Sequence, residues 1–290
     1  ELGFDLVPYE QRHADKYLAT NQNIYIGYTD ADENFSVTIN DVAQTKDTHY
    51  NIYEGTASYW DGKSVKAPAK DKEQPIYTIR TAAELAWVAR QVNAGTDFTG
   101  TTFNMVNDMD LENHDWTPIG NNNVNTVINV KENDYKPNVK FFKGTFDGGG
   151  KTISNLTVHH PTPGSGLFGN VQDATIKNFT VENASINGSG KWTAVVIGFA
   201  NQGLTVEDVN VNNSSINMTN PDGAVKLAGI VSFASGGFSG DIILKGCTVT
   251  DLAINGGCWN HGGLAGYIFQ AKSFKVENCT VSNIKICLLY

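Results

Sequence analysis

Thr175-Ile-Lys-Asn-Phe-Thr-Val181, Thr205-Val-Glu-Asp-Val-Asn-Val211, Ile243-Leu-Lys-Gly-Cys-Thr-Val249 and Lys275-Val-Glu-Asn-Cys-Thr-Val281 share one apolar template, and Thr152-Ile-Ser-Asn-Leu-Thr-Val158 repeats it upstream. In each, an apolar residue is followed three and five positions later by two more: Ile153/Leu156/Val158, Ile176/Phe179/Val181, Val206/Val209/Val211, Leu244/Cys247/Val249 and Val276/Cys279/Val281. A further aliphatic comes five residues on in the four later copies, at Ile186, Ile216, Ile254 and Ile286. Fixed internal spacing with variable insertions between copies is the signature of a repeat architecture.

A second element precedes each of those four copies: Gly166 to Val171, Val196 to Ala200, Gly229 to Ala234 and Gly263 to Ile268. Aligning Gly169, Gly198, Ser232 and Gly266 gives steps of 29, 34 and 34 residues. Each repeat then holds about three strand-like pieces, too short to bury a face alone. The simplest assembly is an all-β, three-sided coil, a right-handed parallel β-helix over residues 76–290 with rungs about 4.8 Å apart.

Working outward, Thr81 and Glu84 form a T-x-x-E capping box. Leu85, Val88, Ala89 and Val92 make one apolar stripe, and Gly95 is a stop. A helix over about 81–94 is expected there, covering the open end of the coil. Upstream, Gly62 to Pro75 is rich in Lys and Pro and reads as a linker. Residues 1–61 read as a small β-rich unit, with strands at Ile24 to Tyr28, Phe35 to Ile39 and His49 to Tyr53. At the other end, Asn283-Ile-Lys-Ile-Cys-Leu-Leu-Tyr290 follows the last apolar positions with no polar or helical cap. A continuation or an end-on partner at this C-terminal rung is expected.

These motifs resemble the GLUG repeat of bacterial secreted and surface proteins. The likeness is carried by Gly166-Leu-Phe-Gly169 and Gly262-Gly-Leu-Ala-Gly266, each followed by a template strand. Tyr77 to Gly95, Phe103 to Leu111, Trp116 to Gly120 and Phe142 to Val158 are similar to the opening of such domains in surface proteins of gut Bacteroidetes. The resemblance implies a β-helix, an extracellular or cell-surface, outer-membrane-associated location, and no defined activity. GLUG repeats also accompany IgA-specific metallopeptidases, but their H-E-x-x-H is absent from this chain, so that activity does not carry over. Val195 to Gly198 and Ile230 to Ser232 each lack one glycine of the pattern, and an Asn/Val-rich insertion separates Gly120 from Phe142.

The chain has 290 residues, 18% of them charged, and a net charge of −9, which offers no electrostatic footprint for nucleic acid or an anionic membrane. No apolar run reaches the roughly 20 residues needed to span a bilayer. The chain begins at Glu1 rather than Met, which fits a mature or trimmed chain from which any export signal has already gone.

Many parallel β-helices cleave polysaccharides, and glycoside hydrolysis needs two carboxylates about 5 to 9.5 Å apart. The candidates are Asp108, Asp110, Asp147, Glu207 and Asp208, although acids at strand ends ordinarily cap turns. Lyases acting on uronates need a basic group, and the arginines, Arg12, Arg80 and Arg90, all precede the repeats. His159, His160 and His261 have no third group at a recognisable spacing, and the four cysteines, Cys247, Cys258, Cys279 and Cys287, contain no CxxC pair. Neither a metal nor a cofactor is expected. Cys247 and Cys279 share a template position and read as stacked core thiols, with a disulfide among the four left open.

The chemistry that remains is binding. Trp192 and Trp259 occupy comparable loops before the glycine-rich strands, with Asn260 and His261 beside the second. Aromatic faces with polar neighbours hold sugar rings by stacking and hydrogen bonds. The plainer reading is that both tryptophans fold back over the rungs. A non-enzymatic adhesion or glycan-binding module is therefore expected, its partners being glycans or host or bacterial surface proteins. A carbohydrate-active enzyme and a structural spacer are the alternatives.

Overall fold

The structure, a computed structural model, describes residues 24–29, 34–39, 42–43, 58–121, 139–159, 163–188, 190–218, 225–256 and 259–287. The chain divides into two compact units, Glu1–Ala57 and Ser58–Tyr290. In the first, Ile24–Thr29 pairs antiparallel with Asn34–Ile39, which pairs in turn with Val42–Ala43. The strand expected at His49 to Tyr53, residues 122–138 of the insertion after Gly120, His160, Cys258 and Leu288 to Tyr290 lie outside the described residues.

The division comes earlier than the composition of Gly62 to Pro75 suggests, because the segment from Ser58 onward packs on the second unit. Ser58–Tyr59 pairs parallel with Met109–Asp110, and Trp60 is buried edge-on against Trp116 at 5.4 Å. Lys66 donates its N–H to Ala83 O at 3.0 Å, and Ala69–Lys70 pairs antiparallel with Ile76–Ile79. Polar composition concealed these backbone bonds.

The helix spans Ala82–Ala94. Thr81 Oγ1 accepts from Glu84 N, and the buried Glu84 carboxylate accepts from Arg80 N at 2.6 Å, one residue before the usual capping-box donor. Gly95, at φ +112°, ends the helix and donates to Val92 O. Leu85, Val88, Ala89 and Val92 are buried in the main core beside Ile79 and Phe103.

That core is built from parallel ladders. Tyr77, Phe103, Phe146, Ile176, Val206, Leu244 and Val276 stand in register on successive strands. Met109, Ile153, Val181, Val211, Val249 and Val281 form a second ladder. Val158, Ile186, Ile216, Ile254 and Ile286 form a third. The second unit is thus a β-rich stack of parallel, solenoid-like coils. Among its described residues, no helix is long and apolar enough to cross a membrane.

Two details differ from the sequence pattern. Thr152 to Val158 is not equivalent to Thr175 to Val181: Ile153 stands opposite Val181 and Val158 opposite Ile186, while Phe146 takes the place opposite Ile176. The cause is that each coil turns two corners with the same spacing. Asn178, Asp208, Gly246 and Asn278 take left-handed φ values of 51 to 64° at one corner, and Asn155, Asn183, Asn213, Asp251 and Asn283 take 44 to 57° at the next. Both corners present apolar residues three and five apart, so the template matches either. In the last described coil the strand pieces are five rather than about three: Asn260–Gly262, Ala265–Phe269, Ser273–Glu277, Thr280–Ser282 and Lys285–Cys287. In the early coil the corner is Gly148-Gly149-Gly150, and a Cβ on Gly148 would lie 2.3 Å from Phe179 Cβ, so the glycine leaves the room that Phe179 occupies.

Candidate functional site

The glycine-rich strands are in register as the alignment of Gly169, Gly198, Ser232 and Gly266 requires: Phe168, Ile197, Val231 and Ala265 face one another, as do Asn170, Phe199, Phe233 and Tyr267. Against them lies a second small parallel sheet made of Trp192–Ala194, Lys226–Ala228 and Asn260–Gly262. The approach is close. A Cβ on Gly198 would sit 2.2 Å from the backbone N of Ser165, which bridges to Thr193 of that sheet. Ser232, where the repeat departs from glycine, donates its hydroxyl to Lys226 O at 2.5 Å and joins the two layers.

Trp192, Phe199 and Phe233 form an apolar cluster separate from the main core, with Phe141 and Phe269 packed against it. Trp192 lies 4.8 Å from Phe199 and 5.2 Å from Phe233, ring centre to ring centre. Phe199, Phe233 and Tyr267 stack along the coils at 5.4 and 5.8 Å, and Tyr267 continues to Phe269 at 6.1 Å. Lys226 Nζ stands 5.4 Å from the rings of both Phe233 and Tyr267, within cation–π range.

The structure does not make Trp192 and Trp259 equivalent. Trp192 aligns with Lys226 and then Asn260, so Trp259 is one residue out of step and two coils away. Trp192 is 8% exposed and packs in the aromatic wall. Trp259 is 72% exposed, with its backbone N–H donated to Val225 O at 3.1 Å. Asn260 and His261 are half-buried in the outer sheet, His261 Nε2 lying 3.5 Å from Gly256 O. At this end the wall reaches solvent through Tyr267, 39% exposed. Tyr267, Phe269 and Lys226 were missed by the sequence reading. A signal existed, because Phe199, Phe233 and Tyr267 each follow the aligned Gly198, Ser232 and Gly266 directly.

The candidate carboxylates are engaged at corners. Asp108 Oδ1 accepts from Thr152 N at 2.8 Å, and Asp110 Oδ1 from Glu112 N and Asn155 Nδ2 at 2.7 and 2.8 Å. Asp147, Lys177, Glu207, Lys245 and Glu277 stand in register on five successive strands, alternating in sign. Lys177 Nζ is 3.1 Å from Asp147 Oδ2, and Lys245 binds Glu207. For Asp147, burial by itself would raise the carboxyl pKa; hydrogen bonds from Asn178, Gly149 and Lys177 outweigh it and hold the group below its ordinary value. Asp208 takes a left-handed φ of 52° in line with Asn178 and Asn278, as a turn ladder requires. His159 Nδ1 lies 3.4 Å from Asp115 Oδ1, both groups about half exposed. Among the described residues, no three His, Cys, Asp or Glu side chains cluster as metal ligands.

The arrangement offers flat apolar faces, a cation and amide donors, and it ties its carboxylates into corner hydrogen bonds and ion pairs. Compared with family models, curated proteins and solved structures, the chain finds no match.

Proposed function

We propose that this chain is a non-enzymatic glycan-binding or adhesion module, secreted or held at the outer surface of a bacterium and built on a right-handed parallel β-helix. Parallel strands joined by crossovers are right-handed in about 98% of cases, which supports the hand of the coil. The GLUG-like motifs around Gly166 and Gly266 support the surface location. The observation that carries the binding reading is the solvent-facing Trp259, next in the chain to Asn260, on the coil where the aromatic wall reaches solvent at Tyr267. Sugar rings stack on such faces while amide groups and Lys226 set the orientation. The engagement of Asp108, Asp110, Asp147 and Glu207 in corner bonds favours capture over hydrolysis.

The test is a glycan array followed by titration of any hit with the wild type and Trp259→Ala. The substitution is expected to weaken binding by about tenfold or more. Equal affinity in the variant, or an array without hits, would leave a structural spacer, and cleavage of any glycan would replace capture with catalysis.

A further inference from the structure

Lys245 faces Glu277 and Thr248 faces Thr280 in two consecutive parallel pairs, so Cys247 and Cys279, between them, stand opposite each other on the last two described coils. Thr280 N donates to Cys247 O at 2.9 Å. Both side chains point inward: Cys247 is fully buried, and Cys279 is half-buried against the same core. We propose that Cys247 and Cys279 are an oxidisable pair that closes to a disulfide and staples the last coil to the one before it.

Neighbouring strands run about 4.8 Å apart, inside the Cα separation of about 4.4 to 6.8 Å that disulfides use. Bonding also requires the two Cβ atoms to close to about 3.8 Å, roughly an ångström less than the strand spacing. The last coil can supply that shift, because Phe274, Val276, Val281 and Ile286 are 43 to 49% exposed and no further described coil holds them. Elsewhere on this ladder the position is filled by Phe179 and Val209, which cannot crosslink.

The order of reaction follows from burial. The Cys247 thiol is pushed up to about 12, mainly by desolvation and further by the adjacent Cys279, so it is a poor first nucleophile. Cys279, partly open to solvent, attacks one sulfur of a small-molecule disulfide such as oxidised glutathione and expels one glutathione thiolate. Cys247 then gives up its proton and attacks the Cys279 sulfur, expelling the second glutathione thiolate. Two protein thiols become one disulfide, one glutathione disulfide becomes two thiols, and the protons end on the leaving groups. An oxidising compartment supplies such partners.

The experiment incubates the intact protein with oxidised glutathione, blocks remaining thiols, and maps the non-reduced digest by mass spectrometry. A peptide pair joining Cys247 to Cys279, two hydrogens lighter than the separate thiols and free of glutathione, is expected. Its rate of formation should climb with pH. In Cys247→Ala the glutathione adduct should persist on Cys279. A Cys258→Ser/Cys287→Ser variant should still form the link and should unfold at a higher temperature once oxidised. A persistent Cys279 adduct in the wild type, a link from Cys279 to Cys258 or Cys287, or no reaction at Cys279 would overturn the proposal.

Discussion

Leu244 and Val276 face each other on one ladder, yet Leu244 is fully buried and Val276 is 46% exposed. The same contrast separates Val249 from Val281 and Ile254 from Ile286, pairs of near-identical side chains at equivalent corners. What differs is whether a following coil lies among the described residues: one covers Leu244, Val249 and Ile254, and none covers Val276, Val281 and Ile286. Burial in a stack is conferred by the neighbour, so an aliphatic residue stabilises a coil only when another coil or a cap lies over it. At the opposite end the helix Ala82–Ala94 takes that role, adding Leu85, Val88 and Val92 to the core. Leu244→Ala is accordingly expected to cost about 2 to 5 kcal/mol. Val276→Ala should cost less than about 1 kcal/mol, since the site is already half solvated. Urea unfolding of the two variants measures the gap, and equal costs would show that the last coil is covered after all.

A smaller effect tests whether the corners, like the ladders, are set by local chemistry. Asn178 sits at φ +60° and donates to Asp147 Oδ1 at 2.9 Å, crossing from one coil to the one before it. Asn178→Ala must hold a left-handed backbone without the side-chain bond, at about 1 to 2 kcal/mol. Asn178→Gly keeps the backbone free and should cost less, as Gly246 does the same duty two ladder positions away in the Cys247 coil. If alanine and glycine variants unfold at the same urea concentration, the backbone conformation is not what asparagine supplies.

The ladders were legible because a core admits apolar residues alone, and their spacing survives loop insertions: Ile186, Ile216, Ile254 and Ile286 stack as their spacing implied, save that Ile286 is left half open. The register of the first copy was not legible, because two corners with identical spacing compete for one pattern and Gly148 to Gly150 hide the shift. The strand break at Asn278 was hidden in the same way: a left-handed Asn between two strands looks, in sequence, like one polar step of an alternating strand. For the site, the outer sheet depends on loop lengths, so Trp192 and Trp259 looked equivalent when Asn260 is the residue in line. The packing of Trp60 on Trp116 was not legible, because a Lys/Pro-rich stretch carries no sign of where its backbone bonds go.

The smallest expected effect concerns the alternating charge ladder. Asp147 is held ionised in the folded chain below its ordinary value near 3.8, by bonds from Asn178, Gly149 and Lys177 that outweigh burial. A depressed carboxylate pKa stabilises the fold above the unfolded pKa, and the gain is lost as pH falls through the folded value. Asp147→Asn removes the charge but keeps an oxygen for Gly149 and Asn178. With Asp147 and Lys177 24 and 32% exposed, solvent screens the pair, so the substitution should cost below about 1 kcal/mol near neutral pH. The difference between wild type and variant should shrink toward zero as pH drops below about 4. Lys177 also faces Glu207, so a single acid at Asp147 is not its sole partner, and the loss should fall short of what an isolated pair would show. A gap that persists unchanged in acid would mean that the neutral hydrogen bonds, and not the alternation of charge, hold this corner to its neighbour.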